Sequence, residues 1–587
     1  MAPVSIDILR LGPPRMRALA RAALAVLELS AFPRRFSRLP LDARSAHIAR
    51  MEASRSLNRR SIVLLAKTLT CVPYTSDARV RAAVGWDPRC ESADDPPVRP
   101  LTVEPPPAED LRCDVVVVGS GAGGAAAARV LAEAGLGVIV LEEGQHHGAR
   151  DFTSDPVRAL RTLYRDGGLT ACDGRPPIPL PVGRCVGGTT VINSGTAVRP
   201  PDDVFTGWRD EHGLGWATEL EGELEAVERD LDVTPVDPAT AGRNAELCRA
   251  GAEAIRAANG PLPRAAGRVT CCGTCPMGCA LDAKRAMHVS ELPRAVAAGA
   301  RVVAGARARR VLLSHGRASG VECSPGFSVH ARAVVLAAGA LGTPELLLGQ
   351  GLANGSGRLG RHLRIQPACW VGARHAGEEV RGWDGVMQSW AVGEWLADRG
   401  LFLEATFSPL PFGAHWMPGA GHEFAERLER YREMAIVGVH LADRSEGRVR
   451  MRGGRLRIGY ALTRDDAAQL AFGIARAAEM HFASGASEVY PQVAGLGILA
   501  PGEERGLDRR RVRPAELRLE AFHPMGTARM GSDPRASVVS PEGEAHDVPG
   551  LFVADASVLP TALGANPMPT IMAVARQTAR GVAERLA

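Results

Sequence analysis

Apolar positions change their spacing along the 587-residue chain. Up to about residue 95 they recur every three or four residues, most clearly over 41–57 and 60–71, and this spacing predicts amphipathic helices. From Cys113 onward short apolar runs alternate with helical stretches. Four of these runs have the composition of buried strands: 114–118, 138–141, 331–340 and 551–556.

Two further regions set the domain organisation. Pro96, Pro97 and Pro100, followed by Pro105 to Pro107, predict a stiff linker and a domain boundary. Between about 345 and 520 irregular strand patterns carry Trp, Phe and Gly, which is typical of a sheet-based substrate domain. The length exceeds what one hydrophobic core supports, so two or three packed units are expected.

A nucleotide-binding pattern begins at the first buried strand. The run 114–118 enters a GxGxxG loop in which Gly119 allows the tight turn, Gly121 lets the backbone approach a pyrophosphate and Gly124 permits close packing of helix on strand. A helical stretch and a second strand follow, and Glu142 ends that strand in position to accept hydrogen bonds from ribose hydroxyls. This unit predicts a dinucleotide but does not separate FAD from NAD.

Three more segments carry a family resemblance. Residues 183–195 read GRCVGGTTVINSG, residues 523–527 read HPMGT, and Asp555-Ala556-Ser557 precedes GANPMPTIMA at 564–573. Together with the glycine loop they resemble the glucose–methanol–choline (GMC) oxidoreductases over about 110–587. The helical extension and the cysteine segment before Lys284 are similar to the long-chain fatty alcohol oxidase branch.

The resemblance implies an α/β fold with FAD held in a discontinuous Rossmann-type domain. The expected organisation is a helical extension at 1–95, a proline-rich linker at 96–110, an FAD-binding domain at 111–200, 261–345 and 545–587, and a substrate domain at 201–260 and 346–544. Because no histidine stands immediately before Gly187, where some relatives attach FAD covalently, we expect a dissociable cofactor.

The resemblance also places residues beside the cofactor. Gly187 and Gly188 let the backbone touch a flat ring without a Cβ clash, and Asn193 can satisfy buried polar edges. Asp555 would contact the ribityl and pyrophosphate region, while the helix beginning near Pro567 would point its positive end at the flavin. These are the expected cofactor contacts.

Alcohol oxidation by a flavin requires the hydroxyl proton to leave as the carbinol hydride moves. By position His523 matches the family's catalytic histidine, so the sequence predicts it as the general base, with Asn566 donating to the substrate oxygen. Glu404 is similar to the acidic residue that sterol oxidases place near the carbinol; the alternative is a glutamate on a sheet rim. Relatives often have His where Gln366 stands, a few residues after His362.

These features predict oxidation of an alcohol, and the apolar 345–520 region indicates a long-chain or sterol-like one. The oxidising partner is O2, or a quinone or carrier. The alternative is a flavoprotein of the same fold with non-oxidative chemistry, lyase-like or photodecarboxylase-like. His523 together with Asn566 favours oxidation, because both a base and a hydroxyl-binding amide are present.

Four cysteines lie within nine residues, spaced CC-x2-C-x3-C: Cys271, Cys272, Cys275 and Cys279. Some flavin dehydrogenases similar to this family carry an iron–sulfur cluster on CC-x4-C-x3-C, and here the first gap is two residues shorter. Zinc is a further alternative. Buried thiols with a local structural role are the favoured interpretation, so no metal is expected.

Charge is uneven along the chain. The net charge is +5 overall, with both signs interspersed, which argues against a nucleic-acid partner. Residues 1–70 hold thirteen Lys or Arg and four Asp or Glu. Such a segment either contacts an anionic membrane surface or is a solvated arginine-rich face. The expected location is cytoplasmic, or peripheral to the inner membrane face. The sequence shows no apolar run of bilayer-spanning length and no signal-peptide cleavage site, and its cysteines are interpreted as reduced thiols.

Overall fold

The computed structural model describes residues 2–88, 101–266 and 273–587. Its α-helices are α1 Ala2–Leu11, α2 Pro14–Leu29, α3 Leu41–Glu52, α4 Leu57–Thr75, α5 Ala78–Val84, α6 Ala122–Glu133, α7 Pro156–Thr162, α8 Asp202–His212, α9 Glu221–Asp230, α10 Arg243–Ala254, α11 Glu291–Ala297, α12 Gly339–Gln350, α13 Leu396–Arg399, α14 Leu410–Gly413, α15 His422–Glu429, α16 Arg464–Ala483 and α17 Met568–Leu586. Its strands are β1 Leu111–Val118, β2 Val138–Glu142, β3 Ala171–Cys172, β4 Ile178–Pro179, β5 Val233–Pro235, β6 Asn259–Pro261, β7 Pro263–Ala265, β8 Arg301–Ala304, β9 Arg307–Ser314, β10 Arg317–Ser324, β11 Phe327–Leu336, β12 Pro367–Arg374, β13 Gln388–Val392, β14 Leu401–Thr406, β15 Met434–Leu441, β16 Gly447–Arg452, β17 Arg455–Tyr460, β18 Glu488–Tyr490, β19 Glu520–Ala521 and β20 Leu551–Val553.

The first large sheet is the predicted Rossmann-type sheet. Strands β8, β2, β1, β11 and β20 pair in parallel in that order, although β20 comes more than two hundred residues after β11. Parallel strands buried on both faces explain why their sequences read as continuous apolar runs. Strand β11 begins earlier than the apolar run suggested because its first half pairs antiparallel with β10.

The second large sheet is antiparallel and runs in the order β18, β12, β15, β14, β13 and β6, with β19 also pairing with β12. One face packs its alternate apolar side chains against α10 and α16. The other face turns toward the first sheet. Successive side chains along these strands therefore alternate between a closed core and the space where a substrate can enter.

The hydrophobic cores cut across the expected domain boundaries. Side chains from α8, α9 and the turn between them, including Trp208 and Leu224, join the core of the parallel sheet. The segment 525–539 does the same through Met525 and Val539. Both segments were expected in the substrate domain. The difference arises because an amphipathic pattern shows that one face is buried but not which core buries it.

The amino-terminal region is helical as expected, but its details differ. The predicted helix over 41–57 ends early, at Glu52, and a polar turn separates it from α4, which begins at Leu57 and contains the predicted helix over 60–71. Part of the predicted linker, 96–100, lies outside the described residues. The part that follows is held to the first sheet, because the Glu104 N–H donates to the Val302 carbonyl. None of the helices within the described ranges combines the length and apolar character that a bilayer span requires.

A buried charge pair attaches the extension to the substrate domain. Lys67 on α4 contacts Glu52 on α3 at 2.8 Å and also donates to the carbonyl oxygens of Met417 and Gly419. Glu52 accepts in turn from the Gly419 N–H at 2.8 Å. The same two side chains thus hold two helices and one loop together.

We expect Lys67→Ala to cost about 3 kcal/mol in docking of the extension, because half-buried Glu52 would lose its cation and the carbonyls of Met417 and Gly419 would lose their donor. Hydrogen exchange of the α4 amides should accelerate accordingly. Arg59→Ala, an exposed change on the same helix, is the matched control. Unchanged exchange in Lys67→Ala would show that the charge pair does not hold the extension.

Candidate active site

A cavity of 1220 Å³ lies between the two large sheets. Its wall begins at the glycine loop after β1, passes the signature segment and His523, and reaches α1 and α4 of the extension. A volume at this level exceeds that of an ordinary small-ligand pocket, typically about 300–1,000 Å³. The cavity is therefore large enough to hold both a cofactor and a substrate.

The glycine loop shows two different needs for glycine. A Cβ on Gly124 would lie 1.9 Å from the Gly119 carbonyl oxygen, so this residue is required by the packing of α6 on the sheet. A Cβ on Gly121 would meet only the Gly188 Cα, at 4.0 Å. Gly121 lines the cavity at the amino terminus of α6, where free N–H groups favour an anion. Open space beside a bare backbone fits the pyrophosphate of FAD.

Glu142 lies at the end of β2 and lines the same part of the cavity. Its Oε2 accepts from the N–H and the hydroxyl of Ser120, and its Oε1 accepts from the Gly144 N–H. Burial raises the pKa of Glu142, while these donors lower it. The carboxylate is thus held in a fixed position beside the glycine loop, where the sequence expected a ribose contact.

The signature segment folds directly onto the glycine loop. A Cβ on Gly188, which has a φ of +57°, would lie 2.9 Å from the Gly121 Cα. The Gly187 N–H donates to the Ser120 hydroxyl, and Gly188 and Asn193 line the cavity while Gly187 lies behind them. Buried Lys284 holds this segment from the other side through the carbonyl of Val191. Lys284 was not predicted as part of the site.

Asp555 and Pro567 lie at the opposite end of the signature segment and both line the cavity. The Asp555 carboxylate accepts from the Gly339 N–H, from the Thr343 hydroxyl and from both donors of Ser557. Burial raises the pKa of Asp555, and these four donors oppose that shift. Pro567 precedes α17, whose amino terminus therefore faces the cavity; that it points at the flavin stays a prediction.

His523 lies between the cofactor region and the apolar half of the cavity, and Asn566 lines the wall nearby. Burial, followed by the electrostatic influence of neighbouring His440, lowers the pKa of His523 to about 3. The imidazole is therefore neutral at physiological pH. His362, in contrast, lies outside the cavity lining and contacts Glu446.

Gln366 orients the His523 ring. Its Oε1 accepts from the N–H groups of Leu563 and Gly564, and its Nε2 donates to the Ala565 carbonyl. The amide nitrogen therefore faces His523 Nδ1, at 3.1 Å. An amide NH2 donates only, so Nδ1 must accept and the neutral ring carries its proton on Nε2. The interpretation of His523 as the general base stays a prediction, and this contact bears on it directly.

Glu404 is buried one layer behind the cavity wall. Its Oε1 accepts from Gln388 Nε2 at 2.5 Å and contacts His440 Nε2 at 3.1 Å, and both partners line the cavity. The carboxylate itself is fully buried and does not line it. Glu404 is thus not on a sheet rim, which was the second sequence interpretation, while its place near the carbinol stays a prediction.

His440 was missed by the sequence analysis. It lies in the middle of β15 with no motif around it, and its ring centroid is 6.3 Å from that of His523. Only the pairing of β14 with β15, which sets Phe402 opposite His440, brings it beside Glu404. No local pattern in the sequence signals such a pair.

Beyond the histidines the cavity wall is mostly apolar. The side chains come from the substrate domain and from α1, α4 and α7: Trp370, Met387, Phe407, Phe412, Trp416, Phe522, Ile8, Leu64, Val72 and Leu160. Glu520, which accepts from Trp370 Nε1 at 2.9 Å, is a charged side chain within this otherwise apolar part of the wall.

The cysteine cluster is only partly described. Cys271 and Cys272 lie outside the described residues. Cys275 is buried and lies 3.6 Å from an Arg264 nitrogen, while Cys279 is partly exposed. No group of three metal-ligating side chains occurs within the described ranges. The alternatives of iron–sulfur, zinc and structural thiols stay open.

Comparisons with known proteins agree with this architecture. Sequence models of the GMC oxidoreductases match residues 160–368 and 443–575, and one of an FAD binding domain matches 114–155. An uncharacterized GMC-type oxidoreductase of Mycobacterium tuberculosis is 38% identical, covering 96% of this chain and 91% of its own length. A long-chain-alcohol oxidase of Arabidopsis thaliana is 29% identical over 79% of this chain and 66% of its own. A solved formate oxidase of Aspergillus oryzae has the same fold, with a TM-score of 0.60 at 16% identity, covering 82% of this chain and 99% of that one.

Proposed function

The chain belongs to the GMC oxidoreductases and is an FAD-dependent oxidoreductase acting on CH–OH donors, and we propose that its substrates are long, hydrophobic alcohols. The observation that carries this proposal is the apolar half of the cavity, which starts beside His523 and ends at the extension. Related chains named long-chain-alcohol oxidase and cholesterol oxidase support it.

The site residues fit the chemistry of this reaction. FAD supplies the acceptor for the carbinol hydride when bound. His523 and His440 face the region where the hydroxyl group would lie, and Asn566 adds an amide to the same wall. We propose that this histidine pair binds the substrate oxygen and removes its proton. We also propose that the apolar wall orients the alkyl chain of the alcohol and excludes water.

The test is an anaerobic spectral titration of the FAD-loaded protein with primary alcohols of increasing length and with a sterol. We expect loss of flavin absorbance near 450 nm with the half-saturating concentration falling as the chain lengthens, by about fourfold per methylene. Failure of every alcohol to reduce the flavin would reject the proposal. It would favour the non-oxidative alternative, lyase-like or photodecarboxylase-like.

We propose O2 as the oxidant, because relatives are named long-chain-alcohol oxidase and cholesterol oxidase. One hydrogen peroxide should form per aldehyde under air. Turnover that needs a quinone or another added acceptor, with no peroxide, would assign the protein to the dehydrogenases instead.

The far end of the cavity offers a direct test of substrate length. Thr68 on α4 lines the cavity, whereas Thr70 on the same helix is exposed. Thr68→Trp should raise KM for a long alcohol by about fifteenfold, since excluding two methylenes forfeits roughly 1.6 kcal/mol of burial. A short alcohol should keep its KM, and Thr70→Trp should change neither. Equal effects on long and short alcohols would show that the alkyl chain of the substrate does not extend to α4.

The extension also carries an exposed apolar face. On α2 the outward positions Ala18, Ala22, Ala25 and Leu29 follow one another at three- and four-residue spacing, with Leu19 and Val26 beside them. Leu29 is 66% exposed and the following Phe32 is 88% exposed. A monomeric protein rarely leaves such a face to water, and we define these residues as the apolar face of α2.

We further propose that the apolar face of α2 docks on an anionic lipid bilayer. Exposed arginines flank it, namely Arg21, Arg34, Arg35 and Arg38, which gives the charge complementarity that anionic headgroups require. The same extension contributes Ile8, Leu64 and Val72 to the cavity wall. A long-chain alcohol dissolved in the bilayer would thus be delivered next to the chamber that binds it.

Flotation with phosphatidylcholine vesicles containing 30% phosphatidylglycerol tests the docking. Wild type should float, high salt should weaken binding, and Leu29→Ser/Phe32→Ser should lose at least tenfold in bound fraction. Leu313→Ser, at an exposed leucine on the parallel-sheet domain, is the matched control. No flotation of wild type would reject the proposal. A wild-type dimer that the double variant dissociates would assign the face to a second copy of the chain.

A further inference from the structure

Two cavity-lining histidines differ in the partners that hold them. His523 has an amide at Nδ1, and His440 has a carboxylate at Nε2. An amide NH2 group donates, so the nitrogen it faces carries no proton. A carboxylate accepts, so the nitrogen it faces carries the proton. This difference assigns the two rings separate tasks in the proposed oxidation.

His523 is arranged to donate. Acting as a base at Nε2 would require its resting proton on Nδ1, where it would face the Gln366 NH2 group, itself a donor. Rotating the Gln366 amide does not relieve this conflict, because its oxygen would then lose the N–H groups of Leu563 and Gly564. The neutral ring therefore presents Nε2–H, which binds an oxygen as a hydrogen-bond donor.

His440 is arranged to accept. The Gln388 amide nitrogen donates to Glu404, since a carboxylate only accepts, and the Gln388 oxygen accepts from the hydroxyls of Ser194 and Thr196. A carboxylate that already accepts from Gln388 is an acceptor for His440 as well, which places the His440 proton on Nε2. Nδ1 is then the nitrogen left to accept a proton.

The sheet makes room for this pair. Gly438 stands opposite Glu404 in the pairing of β14 with β15, and a Cβ there would lie 3.2 Å from His440 Nε2 and 3.0 Å from Trp370. The other oxygen of Glu404 is buried without a hydrogen-bond partner among the described residues. Burying a carboxylate whose contacts are one histidine and one amide has a large desolvation free energy. Carboxylates buried in this way are typical of functional positions.

We propose that His440, positioned by Glu404, accepts the hydroxyl proton of the substrate, while His523, positioned by Gln366, holds the substrate oxygen by donating to it. This proposal rests on the proposed alcohol oxidation. A separation of 6.3 Å between the ring centroids leaves room for one oxygen atom between two hydrogen bonds of about 2.8 Å. The O–H proton would pass to His440 Nδ1 as the C–H bond breaks and the carbonyl forms, and FAD, when bound, would supply the acceptor for the hydride that leaves. The imidazolium left on His440 is compensated by Glu404.

Chemical rescue separates the two tasks. In the FAD-loaded protein, His440→Ala should lower the rate of flavin reduction at least a hundredfold, and added imidazole should restore it in proportion to the unprotonated form. Methylated imidazoles of higher pKa should restore it better. His523→Ala should show no such dependence on the pKa of the added imidazole. His481→Ala, which removes a buried histidine from the other face of the same sheet, is the matched control and should show no rescue.

Reduction within threefold of wild type in His440→Ala, or a pKa-dependent rescue of His523→Ala instead, would overturn the assignment. Nitrogen-15 NMR of histidine-labelled protein decides the tautomers without any alcohol, so failure of the proposed function stays distinguishable. Both rings should be protonated on Nε2, and Glu404→Gln should shift the His440 signals alone. A His523 proton on Nδ1 would overturn the proposal.

Discussion

Replacing His523 with alanine should slow alcohol-driven flavin reduction by about a thousandfold while FAD stays bound. The ring lies in the cavity wall and its contact with Gln366 fixes its orientation, so its loss removes one oriented donor from the substrate oxygen. The His523 ring does not contact the glycine loop or Asp555, which lie at the end of the cavity expected to hold FAD. Rapid-mixing absorbance under anaerobic conditions measures the rate, and the spectrum of the purified variant measures the FAD content.

His523→Gln serves as the companion variant, because a glutamine amide can still donate. We expect it to recover part of the lost rate, about tenfold over alanine. A His523→Ala protein that reduces its flavin at the wild-type rate would remove His523 from the reaction. A variant without bound FAD would show that His523 supports the fold of the cofactor site instead.

Much of the cofactor site was predictable because it is local in sequence. Gly119, Gly121, Gly124 and Glu142 lie within 24 residues on one strand, one loop and the next strand, so their spacing predicts their arrangement. The parallel sheet was predictable for a related reason. Strands buried on both faces must be apolar throughout, and β20 carries that pattern even though it is distant in sequence from β11.

The proton-handling side of the site was not predictable in this way. Glu404 and His440 are 36 residues apart on neighbouring antiparallel strands, and a shift of one residue in their register would turn them to opposite faces. The role of Gln366 depends on backbone groups nearly two hundred residues away. Likewise, the periodicity of α4 shows a buried face but not that part of this face lines a cavity.

Two neighbouring glycines of the nucleotide loop should respond oppositely to the same substitution. A Cβ on Gly123 would lie 1.9 Å from the Ala554 carbonyl oxygen, which is backbone and has no room to move. A Cβ on Gly121 would contact nothing closer than 4.0 Å in the protein, and its φ of −71° suits any residue. Gly123 is thus required by the fold, while Gly121 is required by the ligand.

Gly121→Ala should therefore leave the thermal unfolding of the apoprotein unchanged and weaken FAD binding by roughly 10- to 100-fold, since a methyl group would overpack the pyrophosphate at a cost of 1–3 kcal/mol. Gly123→Ala should destabilise the apoprotein itself by about 3 kcal/mol or more, because β20 must move away from α6. Gly222→Ala, on α9 with open space around it, is the control for both. Fluorescence titration with FAD and calorimetry of the apoproteins separate the two effects. If Gly121→Ala lost apoprotein stability and Gly123→Ala did not, the loop would not hold the cofactor in the way its geometry indicates.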